Sequence, residues 1–130
     1  MKPNGLPKQA RLKHRSAIDA LFKGGQRFSV FPLLTWHRYL PEGTDGLQAG
    51  FSCSKRHFKK AADRNRVKRL MREAYRLQAA GLREQVAETG GGLHLFFIYL
   101  DKQLPEYDAM YTAMGRALKQ LKKKRHEPTS

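Results

Sequence analysis

The chain has 130 residues, with 26 Lys and Arg against 11 Asp and Glu, for a formal net charge of +15. That length fits one domain with a modest core, and a 40% hydrophobic fraction with seven Phe, five Tyr and one Trp excludes a disordered basic tail. A single cysteine excludes an internal disulfide and a cysteine-based zinc site, and so large an excess of cations demands a polyanion, nucleic acid ahead of an anionic membrane surface.

Residues 1–10, with Pro3, Gly5 and Pro7, read as an irregular tail and lack the apolar run of a secretory signal. Ser16 is the expected N-cap of a short helix, with Asp19 at its third position and Ile18, Leu21 and Phe22 as its apolar stripe. Gly24-Gly25 ends it after about two turns, too few to stand without packing. Residues 26–40 are rich in aromatic and branched side chains and read as extended, with Pro32 marking a break or bulge. Residues 41–46 form a turn and 47–54 a returning strand, which together predict an antiparallel hairpin. Cys53 shares an alternating face with Leu47, Ala49 and Phe51 and is expected to be a buried thiol, not a nucleophile.

The next helix is the most informative segment. Val67, Leu70, Met71 and Ala74 recur at i, i+3, i+4 and i+7, a stripe that packs on a core. The rest of its surface carries Arg64, Asn65, Arg66, Lys68, Arg69, Arg72 and Arg76, with only Asp63 and Glu73 as acids. A helix merely exposed to solvent usually alternates its charges for i,i+4 support. Arginine with asparagine suits phosphate forks and base edges, so this face is expected to meet RNA or DNA. The helix is predicted to run to about residue 80 with Gly81 as C-cap, and 82–88 to add a further turn. Residues 89–92 break the chain.

Residues 93–100 are almost continuously apolar, which predicts a central strand buried on both faces. The apolar run is far too short to span a membrane. The last helix starts near Pro105-Glu106 and lines one face with Tyr107, Met110, Tyr111, Met114, Leu118 and Leu121. Its end carries Lys119, Lys122, Lys123, Lys124 and Arg125, and 126–130 read as a tail. The order helix, strands, helix, strand, helix predicts one α+β domain over 1–130, three helices packed on a small mixed sheet.

No catalytic set stands out. The five histidines are scattered without metal-ligand spacing, and Glu106 and Asp108 fit helix N-terminal electrostatics better than a two-metal site. Phe22 and Trp36, taken as residues alone, are more readily core than stacking platforms.

Three stretches carry a resemblance. Arg11-Leu12-Lys13 precedes a helix ending Leu21-Phe22-Lys23-Gly24-Gly25; Gly50-Phe51-Ser52-Cys53-Ser54-Lys55 is a strand running into Ser-Lys-Arg; and Arg64-Asn65-Arg66-Val67-Lys68-Arg69 continues to Arg72-Glu73. Together they resemble the protein component of bacterial ribonuclease P over residues 11–121. The resemblance implies a ribosomal-protein-like sandwich with a left-handed βαβ crossover. It implies that an RNA subunit cleaves precursor tRNA at its mature 5′ end, using Mg2+ held mainly by that RNA, and that the protein supplies no catalytic or metal-binding residue. Arg64, Asn65, Arg66, Lys68, Arg69 and Arg72 would then contact the catalytic RNA. Phe22, Trp36, Lys55 and Lys13 would border the cleft for the 5′ leader.

The partners implied are the catalytic RNA and precursor tRNA, with no membrane and no protein partner, in the cytoplasm. Two features depart from the pattern: Ile18 stands where many members carry an aromatic, and 55–63 is one residue longer than the common spacing and lacks its usual Gly. The alternatives are a ribosomal-type or general RNA-chaperone protein and, from another class, a protein-only nuclease.

Overall fold

The computed structural model describes residues 6–41 and 46–126, side chains 125 and 126 excepted. A 3-10 turn at Lys8–Ala10 leads to helix α1 (Arg15–Gly24), strands β1 (Gln26–Val30), β2 (Leu33–Leu40) and β3 (Leu47–Cys53), helices α2 (Ala61–Gln78) and α3 (Ala80–Thr89), strand β4 (Gly92–Tyr99) and helix α4 (Tyr107–His126). The α+β class and element order agree with expectation, but there are four α-helices, not three. Most of the expected turn at 41–46, and the tail beyond 126, lie outside the described residues.

The strands form one mixed sheet in the order β1-β2-β4-β3. This corrects the hairpin expected between 26–40 and 47–54. β1 and β2 form the hairpin instead, closed by Phe31 and a cis Pro32. β4 lies between β2, to which it runs antiparallel, and β3, to which it runs parallel. The physical reason is apolar demand. β4 is the most hydrophobic strand and gains most from the central position. It enters beside Leu40 because position 91 is Gly: a Cβ there would lie 2.5 Å from the Leu40 carbonyl oxygen.

The sheet's inner face carries Leu33, Leu95, Phe97 and Tyr99, which pack on Val67, Met71, Ala74 and Tyr75 of α2 and on Met110, Met114, Leu118 and Leu121 of α4. The expected stripe on α2 is buried apart from Leu70, which is only partly covered. The second helix ends earlier than expected. Ala79, with φ −86° and ψ −5°, is the joint between α2 and α3. No glycine causes that break, and Gly81 lies inside α3. The turn brings Leu82 and Val86 onto the core, where both are buried. Gly90 takes the left-handed conformation, φ 74°, that ends α3.

Helix α1 covers the opposite, outer face of the sheet. It starts at Arg15, two residues earlier than a Ser16 cap would allow, because Leu12 is buried and its N–H donates to the Ala49 carbonyl at 3.0 Å. Gly25 ends it with an N–H bond to Leu21 at 2.8 Å, and a Cβ there would meet that same carbonyl at 2.5 Å.

His37, on β2, is buried on the inner face beside the rings of Phe28 and Tyr39, with Lys124 of α4 nearby. Burial, then the Lys124 charge, lowers its pKa from the ordinary 6.5 to about 4. The folded state therefore holds a neutral imidazole, and acid favours the unfolded chain. The stabilisation is complete above pH 6.5 and is lost as pH falls toward 4. Urea unfolding should show a loss of roughly 2 kcal/mol between pH 7.5 and pH 5. His37→Leu should flatten that decline; a decline unchanged in the variant would place its origin elsewhere.

Candidate nucleic-acid interface

Against 26 Lys and Arg in the chain, the only ion pair among the described residues joins Arg76 to Glu73 one turn away on α2. No other lysine or arginine pairs with a carboxylate among the described residues. The remaining cations fall into distinct groups, each positioned by a different part of the fold.

The first lies on α2. Asn65, Arg66 and Arg69 are exposed, and Lys68 and Arg72 are half-buried at the helix flank. Cations one turn apart, at about 6 Å, repel by roughly 0.7 kcal/mol per pair in water, which a bound phosphate would relieve. Arg64 differs from expectation. Its Nη1 donates to the carbonyls of Phe58 and Lys59 at 2.8 and 2.9 Å, so it is turned back on the loop that enters the helix. That loop is also held by Phe58, which is buried and whose N–H donates to the Ser54 carbonyl. The long 55–63 segment thus reaches α2 without glycine, and Arg64 positions the surface that its neighbours present.

The α2 surface continues onto the N-terminal segment. The Arg72 guanidinium has its pKa lowered by burial and then by the charges of Arg11 and Arg69. Arg11 is fixed by pairing with Ala49 at the β3 edge and by Nε donating to the Leu6 carbonyl at 2.9 Å. Beside it lies a groove of about 410 Å3 lined by Lys8, Gln9, Arg11, Lys13, His14 and Gln48. Lys13 therefore belongs with this basic groove. Arg11 and Lys8 were not expected here; Arg11 comes near Arg72, and Lys8 lines the groove beside it, because the first residues pair with β3, a contact without sequence periodicity. Cys53 is buried as expected, and burial raises its pKa against the opposing charges of Lys68 and Arg64.

The second group is aromatic and lies on the outer face. Register places Arg27, Trp36, Phe96 and Gly50 in one row across the four strands. Phe22 of α1 lies edge-on to Trp36 at 5.1 Å and to Phe96 at 5.3 Å, and is 38% exposed. The Arg27 guanidinium lies 5.3 Å from the centre of the Trp36 ring. Phe22 and Trp36 thus stand outside the main core, on a half-open platform. Phe96 and Arg27 were missed. Phe96 points away from its buried neighbours Leu95 and Phe97, an alternation masked because β4 is apolar on both faces. Gly50 makes room for it: a Cβ there would sit 2.7 Å from two atoms of the Phe96 ring. Lys55 is exposed on the loop after β3. Ile18 is half-buried on α1.

Among the described residues no three His, Cys, Asp or Glu side chains converge. No described helix is long and apolar enough to cross a membrane.

Comparison with known proteins points one way. Residues 6–122 match the family model described as Ribonuclease P. The chain is 35% identical over 115 residues to the ribonuclease P protein component of Porphyromonas gingivalis, covering 88% of this chain and 84% of that one. It is 36% identical over 106 residues to that of Chlorobaculum tepidum, covering 75% and 69%. The fold is similar to that of a Staphylococcus aureus RNase P protein mutant, with a TM-score of 0.68 over 88% of this chain and 90% of that one at 17% identity. With its sequence matched over residues 6–122 and its fold alike, this chain belongs to the ribonuclease P protein family.

Proposed function

We propose that the protein is the RNA-binding subunit of ribonuclease P, gripping the catalytic RNA with α2 and the 5′ leader of precursor tRNA with the aromatic platform. The carrying observation is the exposed run Asn65, Arg66 and Arg69, flanked by Lys68 and Arg72 and unanswered by acids among the described residues. Phosphate contacts there would lower the repulsion between RNA segments and let the catalytic RNA fold with less magnesium. Chemistry falls to the RNA and the Mg2+ that it holds. Phe22, Trp36 and Phe96 offer faces and edges on which an unpaired leader can stack, and Lys55 and Lys13 supply charge to its backbone.

Cleavage of precursor tRNA by the matching catalytic RNA tests this. At low magnesium, added protein should raise the rate steeply, and protein without RNA should cleave nothing. A general RNA chaperone would help unrelated structured RNAs equally, and that result would overturn the assignment.

A further inference from the structure

The C-terminal half of α4 carries cations that neither the α2 face nor the platform uses. Arg116, Lys119 and Lys123 follow at i, i+3 and i+7, and with Gln120 and Lys124 they line a groove of about 390 Å3. Among the described residues no carboxylate pairs with any of them. The helix dipole accounts for only part of the row. It favours cations in the last turn and fades beyond it, yet Arg116 and Lys119 stand more than a turn before His126.

Lys124 shows where the row ends. Its Nζ lies 5.6 Å over the ring of Phe28 on β1. The row therefore closes at the β1 edge of the sheet, whereas α2 packs on β3 at the other edge. Cations about one helical turn (~5.4 Å) apart fit successive phosphates of one strand better than a single small anion. α4 packs against α2 in the helical layer, on the face of the sheet away from the aromatic platform.

We propose that Arg116, Lys119, Lys123 and Lys124 form a second docking surface for the catalytic RNA, holding the phosphate backbone of a segment separate from the one on α2. The leader, bound on the outer face, is the wrong occupant for this side of the molecule. The inference rests on the reading that the protein binds catalytic RNA.

Salt-dependent binding of the full chain to the catalytic RNA tests it with two variants. In the first, Arg116→Gln, Lys119→Gln and Lys123→Gln are combined; Lys124 is kept because it packs on Phe28. In the second, Arg66→Ala is combined with Arg69→Ala. Removing three phosphate contacts should make the slope of log K against log salt shallower by about 2 and weaken binding at least tenfold at 0.1 M salt. Lys119 and Lys123 should also be protected from acetylation by bound catalytic RNA. An unchanged slope in the α4 variant beside a reduced one in the α2 variant overturns this surface alone. Unchanged slopes in both overturn the RNA-binding reading with it. Loss of binding to phosphatidylglycerol vesicles with an unchanged RNA slope would assign the row to a membrane and overturn the proposal.

Discussion

Replacing Arg66 and Arg69 together by alanine is expected to weaken binding of the catalytic RNA about a hundredfold while leaving the unfolding midpoint unchanged. Both side chains are exposed and bond to nothing within the described protein, so their loss creates no cavity and no buried orphan. A hydrogen bond to a charged group contributes about 1.5–3 kcal/mol, and two such contacts at the lower figure reach the stated factor. The slope of log K against log salt should fall by about 1.5 in the same variant. Arg64→Ala should behave differently. It removes the clamp on the Phe58 and Lys59 carbonyls, so its main effect should be on stability, about 1–2 kcal/mol, with a smaller change in salt slope. Filter binding over a KCl series, with urea melts alongside, separates the two. A double variant that only melts earlier would remove α2 from the interface.

The second large effect is expected at the platform. Phe22→Ala should cut the preference for precursor over mature tRNA by roughly fivefold to a hundredfold, the range of one lost stack of 1–3 kcal/mol, while assembly with the catalytic RNA stays intact. Phe22 is 38% exposed, so truncation should cost the fold little. Gly50→Val reaches the same end from beneath. Its branched side chain would displace the Phe96 ring, with the overpacking cost of about 1–3 kcal/mol. Trp36 is the only tryptophan, so its fluorescence reports the disturbance directly. Equal loss for precursor and mature tRNA in the Phe22 variant would mean that the platform does not read the leader.

Local periodicity made the helices legible, and non-local choices hid the rest. Val67, Met71 and Ala74 could be placed in the core because their spacing alone defines a helix face. The 26–40 and 47–54 segments do not pair because β3 takes a partner 46 residues further along, Leu47 opposite Leu93, and nothing within 26–54 records that competition. The break at Ala79 was invisible for a similar reason: Ala79-Ala80 favours helix continuation, and only the burial of Leu82 and Val86 turns the chain. At the interface, residue type disclosed a basic helix but not the aim of each side chain. Arg64 faces inward because loop carbonyls lie within reach, and Arg11 joins the site because the amino-terminal segment borders β3. Both facts belong to tertiary structure.

The position of β4 has a consequence for how the protein is made. The ribosome delivers β1, β2, β3 and the cationic α2 before it delivers the strand that joins them, since β4 spans Gly92–Tyr99. Until then the β1-β2 ribbon and β3 have no shared neighbour, and Val67, Met71 and Tyr75 have no completed floor to rest on. A nascent chain of about ninety residues would hold its arginines on a helix without tertiary support. Assembly of the domain is thereby deferred to the last third of synthesis, when β4 and α4 emerge together.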